Sequence, residues 1–158
     1  IEDVINMVSN QFRKQHINFD LHLGDDIPLL SLDEDKMKQV FINIVMNAAY
    51  SISDDGEIGL ISLYHEKGGL VQVIIEDNGS GIPAEVIDKI FDPFFTTKEE
   101  GEGTGLGLSI SYGIVQRHDG SLSLENVSHG GAKVRICLPQ ASKANEDAQE
   151  LLEEMNVG

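Results

Sequence analysis

The sequence contains no tryptophan, one cysteine, four prolines and only 11 lysines and arginines against 27 aspartates and glutamates. Each shortage closes a class of function. A single cysteine, Cys137, excludes an internal disulfide and a cysteine-rich metal site, and it suits a reducing cytosol. The formal charge of −16 disfavours nonspecific attraction to nucleic-acid phosphates or an anionic membrane, so any phosphate ligand must be held by local features. No apolar run is long enough to cross a bilayer. With 41% apolar residues over 158 positions, the chain still has the material for one soluble domain with a real core. It starts at Ile1 without a signal peptide and reads as a fragment of something longer.

Helical and extended periods alternate along the chain with no repeat. IEDVINMVSNQFRKQ puts Ile1, Val4, Ile5 and Val8 on one helical stripe, INFDLHL alternates as a strand, and LLSL suggests a short partner strand. Ser31 to Glu34 has the S-x-x-E form of a capping box, and Met37, Val40, Phe41, Ile44, Val45, Ala48 and Ile52 then trace an apolar stripe. GEIGLISLYHEKGGLVQVIIED predicts a hairpin turning at Lys67-Gly68-Gly69, and PAEVIDKIF a short helix with proline near its first turn. A further helix runs to about Arg117, and SLSLENV and AKVRICLP pair as a second hairpin that buries or half-buries Cys137. This mixture implies a sheet with helices packed on it. From Ser142 the chain turns acidic, with Ala144, Ala148, Leu151, Leu152 and Met155 at helical spacing: a frayed tail, a peripheral helix or an inter-domain arm.

Four polar features stand out against these elements. Asn43 and Asn47 are four apart and therefore neighbours on one helix, at the border of the stripe beside Val40. A neutral amide oxygen there can complete the coordination of Mg²⁺ while a substrate's phosphates supply the charge. EDNGSGI, residues 76 to 82, follows the apolar VQVII, so Asp77 ends a strand where Asn78-Gly79 and Gly81 turn the chain away. That carboxylate can accept a hydrogen bond from an exocyclic amine, which selects adenine over guanine; a plain polar strand end is the alternative. FDPFFTTK, residues 91 to 98, suggests a lid anchored by Phe94 and Phe95 with Lys98 able to reach a phosphate as a point charge, or else core phenylalanines beside a turn. GEGTGLGLSI, residues 101 to 110, spaces Gly103, Gly105 and Gly107 two apart before a helix. It matches neither G-x-G-x-x-G nor the P-loop, yet bare backbone at a helix start suits an anion. A mobile glycine-rich loop would look the same.

In order, DEDKMKQVFINIVMNAA, EDNGSGI, FDPFFTTK, GTGLGLSI and GGAKVRICLP resemble the N, G1, F, G2 and last glycine boxes of the histidine-kinase ATP-binding domain, which has the Bergerat fold. The resemblance runs from about Ile1 to Pro139 and implies an α+β fold, a two-layer α/β sandwich with a mixed sheet packed against helices. It divides the chain into a catalytic ATP-binding domain over 1–139 and an acidic tail over 140–158. By this resemblance Asn47 is the Mg²⁺ ligand with Asn43 supporting it, and Asp77 binds the adenine amino group. Gly79, Gly81 and Ile82 shape the base pocket, and residues 92 to 104 form an ATP lid carrying Phe94, Thr96, Thr97, Lys98, Gly103 and Thr104. Gly103, Gly105 and Gly107, with Leu106 and Leu108, lie along the phosphates. Asn43, Asn47 and Lys98 are the residues assigned to the chemistry.

The activity so implied is transfer of the γ-phosphoryl group of Mg·ATP to a histidine on a separate dimerisation domain, with a response regulator downstream and no nucleic-acid partner. The fragment is expected as a monomer of a homodimeric parent, on the cytoplasmic side even if the parent is membrane-anchored. Hydrolytic relatives such as gyrase-type topoisomerases and the MutL repair proteins carry a glutamate four residues before the box asparagine. Here that position is Asn43, which cannot take a proton at neutral pH, so fast hydrolysis is not expected. None of His16, His22, His65, His118 or His129 is followed by the acidic residue and proline typical of a phosphoacceptor, and each is expected to be a surface or half-buried structural histidine. A serine kinase of the same fold and a non-catalytic nucleotide-dependent docking module are the alternatives.

Overall fold

The computed structural model describes residues 1–12, 16–53, 55–98, 103–128 and 130–140. Among the described residues nine segments of regular structure follow in order: α1 (Glu2–Gln11), β1 (Asn18–Leu23), α2 (Glu34–Ser51), β2 (Glu57–His65), β3 (Leu70–Asp77), a 3-10 turn (Ile87–Lys89), α3 (Gly107–Arg117), β4 (Ser121–Asn126) and β5 (Ala132–Pro139). The strands form one sheet in the order β1-β2-β3-β5-β4, with β1 parallel to β2 and every other pair antiparallel. The sheet is therefore mixed, and the helices pack on it as the second layer of an α+β sandwich, the expected architecture.

The core lies between the two layers. Val40, Ile44, Val45 and Ala48 of α2 are buried with Val8 of α1 and Ile114 and Val115 of α3, facing Ile58, Leu60, Val73, Ile75, Val134 and Ile136 of the sheet. The helical stripe legible in the sequence is the buried face of α2, and Ile52 extends it as the buried C-cap. Both hairpins form as expected. β2 and β3 join through the turn at Gly69 (φ +60°), and β4 and β5 through Gly130 and Gly131 (φ +100° and +90°), a backbone that side-chain-bearing residues rarely adopt. Cys137 is buried in β5.

Three local expectations are corrected. The cap of α2 is Asp33, not Ser31: Asp33 has extended backbone and its Oδ1 accepts the Lys36 N–H at 3.0 Å, the geometry that satisfies a first-turn donor. Glu34 then belongs to the first turn and pairs with Lys38 one turn on. LLSL forms no strand, because Leu30 and Leu32 bury against the core as a connector while Leu29 is left 98% exposed, so packing is achieved without a ladder. PAEVIDKIF is not an α-helix. It closes by i→i−3 bonds, Val86 N–H to Pro83 O at 3.1 Å and Lys89 N–H to Val86 O at 2.8 Å, the tighter winding of a 3-10 turn.

Four histidines are surface or half-buried, as expected, and His129 lies outside the described residues. His118 shows the structural kind of role: its Nδ1–H donates to Ile114 O at 2.8 Å and its Nε2 accepts the Asp33 N–H at 3.1 Å, tying the end of α3 to the start of α2. The acidic tail from residue 141 also lies outside the described residues. No described helix is long and apolar enough to cross a membrane.

Candidate functional site

A cavity of about 580 Å³ opens between α2, the end of β3, the 3-10 turn and the segment before α3. Its walls are mostly apolar, from Ile42 and Met46 of α2 to Val86, Ile90, Leu124 and Val134, with polar groups concentrated at two ends, the usual character of a small-molecule site.

At one end stands Asp77, the last residue of β3 and only 7% exposed. Its Oδ1 accepts three bonds: from the Ser51 hydroxyl at 2.9 Å, the Gly79 N–H at 2.9 Å and the Ala132 N–H at 3.4 Å. Its Oδ2 has no hydrogen-bond partner among the described residues. A buried carboxylate oxygen left this way needs a donor, and Asp77 lines the cavity, from which a ligand can supply one. Two glycines let the backbone close around this carboxylate. A Cβ on Gly79 would lie 2.0 Å from Ser51 Oγ, and one on Gly131 would lie 1.8 Å from Asp77 O. Beside them Gly81 turns with φ +69°, and Asn126 clamps the turn by accepting the Ile82 N–H and donating to Ile82 O, both at 2.7 Å.

At the other end Asn47 of α2, Lys98 and the glycine segment meet. Lys98 Nζ lies 3.5 Å from Asn47 Oδ1 and 4.0 Å from the centre of the Tyr50 ring. Asn43, one turn before Asn47, donates from Nδ2 to Gly107 O and to Ser111 Oγ, each at 3.2 Å, so it ties α2 to the first turn of α3. A Cβ on Gly107 would meet Asn43 Cγ at 3.7 Å, ordinary contact, whereas one on Gly105 would meet the backbone of Phe94 at 2.4 Å. Among the described residues no side chain caps the start of α3. The free N–H groups and positive dipole end of its first turn, at Gly107 and Leu108, therefore border the cavity where an anion is favoured.

The fold thus brings Asn43, Asn47, Asp77, Gly81, Ile82, Thr96, Thr97, Lys98, Gly103, Thr104, Gly105, Gly107 and Leu108 to one cavity. Gly79, Phe94 and Leu106 do not line it. Gly79 packs behind Asp77 against Ser51, and Leu106 is the residue before α3. Phe94 is not the apolar anchor of the lid: its φ of +67° turns the side chain outward, and it is 75% exposed. Phe95 is the phenylalanine that lines the cavity. Residues 99–102 of the lid lie outside the described residues. Sequence reasoning missed Ser51, Tyr50 and Asn126. Ser51 and Tyr50 had a signal, since both follow Asn47 within about a turn of the same helix; Asn126 had none.

The family of histidine kinase-, DNA gyrase B- and HSP90-like ATPases has a sequence model that matches residues 32–142. Over 92% of its length the chain is 34% identical to sporulation kinase E of Bacillus subtilis, and over 88% it is 33% identical to the sensor histidine kinase ZraS of Escherichia coli K12. It spans only 19% and 29% of those two proteins. Among solved structures, the catalytic domain of histidine kinase ThkA superposes with a TM-score of 0.76 at 33% identity, over 88% of this chain and 89% of that one. ThkA in complex with the response regulator TrrA gives 0.75 at 30% identity, over 91% of this chain and 40% of that one.

Proposed function

The chain belongs to this ATPase family, as an ATP-binding catalytic domain of the sensor histidine kinase type, and from that premise we propose that it binds Mg·ATP with adenine at Asp77 and the phosphates at Asn47, Lys98 and the glycine segment. The γ-phosphoryl group then passes to a histidine on a dimerisation domain of the parent kinase and onward to a response regulator, on the cytoplasmic side where ATP is found. The observation that carries this reading is the buried Asp77, with Oδ1 saturated by three donors and Oδ2 left for a ligand donor such as the adenine amine.

The donor set also suits Mg²⁺. Among the described residues no cluster of three or more histidines, cysteines or carboxylates could hold a metal by itself, and Asn47 offers one neutral amide oxygen. Mg²⁺ characteristically takes one or two protein oxygens and leaves the rest to phosphate and water, so this asymmetry fits a nucleotide-borne ion held by Asn47. When bound, the ion neutralises charge on the phosphates. Lys98 brings a point charge to the same end, and the first-turn N–H groups of α3 add donors without a net charge. Asn43 is engaged with Gly107 and Ser111, and being an amide it cannot activate water. Positioning and charge neutralisation without a base favour transfer to a better nucleophile over hydrolysis.

The test follows the γ-phosphate. The chain alone is expected to bind Mg·ATP yet neither label itself nor release phosphate appreciably. Adding the purified histidine-bearing dimeric domain of the same parent should give an acid-labile, base-stable label on that domain, lost with Asn47→Ala in this chain. An acid-stable label would move the protein to a serine kinase. Rapid phosphate release by the isolated chain, abolished by Asp77→Asn, would place it with the hydrolytic relatives.

A further inference from the structure

Lys98 has a long flexible stem, and an ammonium at the tip of such a stem loses much conformational freedom when it is held in one place. Among the described residues, two groups at the cavity mouth contact it. The contact to Asn47 Oδ1, at 3.5 Å, is at the outer limit of a hydrogen bond. The contact to Tyr50 is the closer to its optimum: Nζ lies over the ring, 4.0 Å from its centre, well inside the distance at which a cation is attracted to an aromatic face. Tyr50 lies three residues after Asn47, so α2 presents the amide and the ring side by side. The ring has its own support from Phe12, 6% exposed, whose ring meets it edge-on at 5.2 Å and 88°. On the other side, the bare Gly103 leaves space for the lysine stem, since a Cβ there would lie 3.2 Å from Lys98 Cδ.

We propose that Tyr50 is a positioning residue for the phosphoryl-transfer site: its ring face, braced by Phe12, holds the Lys98 ammonium beside Asn47, ready for the terminal phosphate of the nucleotide. The inference rests on the ATP reading given above and adds to it a residue that acts through Lys98. It gives a reason for a half-exposed tyrosine, 52% accessible, at the rim of a site for a highly charged ligand. The role needs the aromatic face and not the hydroxyl, and it concerns the phosphate that distinguishes ATP from ADP.

Two measurements on the full 158-residue chain test it. In the nucleotide-free protein, the ε-methylene protons of Lys98 should show an upfield ring-current shift by NMR, lost in Tyr50→Leu and kept in Tyr50→Phe. By calorimetry with Mg²⁺ present, Lys98→Met should lower the ratio of ATP to ADP affinity by about tenfold or more, the loss of a charged hydrogen bond. Tyr50→Leu should lower the same ratio by about twofold to fivefold, Tyr50→Phe should restore it, and Tyr50→Leu should add nothing once Lys98 is Met. An unshifted Lys98 overturns the placement even if ATP binds normally. Equal losses for ATP and ADP in Tyr50→Leu, or an undiminished effect in the Lys98→Met background, overturn the action through Lys98. A shifted Lys98 with an ATP-to-ADP ratio indifferent to Lys98→Met overturns the lysine's place at the phosphate and Tyr50's with it. No nucleotide binding by the unmutated chain would sink the ATP reading itself, and this inference with it.

Discussion

At the Asp77 end of the cavity the ligand-facing group is fixed by bonds of 2.9 Å to a serine hydroxyl and a backbone N–H, with a second N–H at 3.4 Å, whereas at the Lys98 end side chains from separate segments meet at 3.5 and 4.0 Å. The first end is framed by glycines that admit no side chain at all. Gly79 and Gly131 approach Ser51 and Asp77 so closely that a methyl group would overlap backbone or hydroxyl atoms. Along the second the glycines differ: Gly107 would accept a Cβ at ordinary contact distance, a Cβ on Gly103 would lie 2.7 Å from Thr96 Oγ1 and 3.2 Å from the Lys98 stem, and one on Gly105 would meet the Phe94 backbone at 2.4 Å. The difference follows from the chemistry assigned to each end. A flat base with one discriminating amine rewards a rigid acceptor, because a misplaced hydrogen bond loses its selectivity. A triphosphate, with its charge spread over several oxygens, is better met by a point charge steadied against a ring face and by helix-end donors, whose attraction falls off gently with distance.

The comparison breaks most visibly at the rigid end. Asp77→Asn keeps the shape and leaves Oδ1 free to accept its three bonds, but replaces Oδ2 with a donor facing the adenine amine. A loss of about 1–3 kcal/mol is expected, a tenfold or greater fall in affinity, equal for ATP and ADP and independent of metal. Calorimetry that returned unaltered affinity would remove Asp77 from the base site.

A smaller and more selective effect is expected at the other end. Asn47→Ala should erase the part of nucleotide affinity that depends on Mg²⁺ while leaving ADP binding in chelator nearly as it was. Titrations with and without the metal give the two parts separately. Equal losses in both would mean that the substitution had disturbed α2, and the contrast between the ends would then be one of packing only.

The smallest effect belongs to a group in neither end. Burial pushes the Cys137 thiol above its usual range, with hydrogen bonds from its neighbours only partly opposing the shift. Since the folded state holds this proton more tightly than the unfolded chain does, the thiol's contribution to stability is present below the ordinary thiol range and is lost as pH rises through the raised folded value. Urea unfolding followed through the alkaline range should show that decline in the unmutated chain and a shallower one in Cys137→Ala. Nucleotide binding should not change between the two at neutral pH. A thiol that alkylates as fast in the folded protein as in urea would contradict its burial.

Much of the fold was legible because periodicity is a local property. The 3.6-residue stripe from Met37 to Ile52 is the buried face of α2, and the apolar run before Asp77 lies in β3, which ends at Asp77. Local signals failed where two short-range solutions are nearly equivalent. Ser31 and Asp33 are both competent caps, and the burial of Leu30 and Leu32 decided between them by fixing where the chain enters the helix. Phe94 and Phe95 are adjacent and chemically identical, so no pattern could say which one faces inward; the positive φ at Phe94 did.

By itself, then, the sequence determined which residue types stand at which points of each element. Asparagines one turn apart on a helix, a carboxylate at a strand end and glycines ahead of a helix follow from spacing, because each side chain's direction is set by its own element. Only the tertiary structure decided which of these groups meet and what each has left to offer. Asp77 receives the Ala132 N–H from 55 residues away, Ile82 is clamped by Asn126 from 44 away, and Lys98 reaches Asn47 across 51. Such contacts depend on the order of strands in the sheet and on how closely glycine lets two backbones approach, and no local period encodes either.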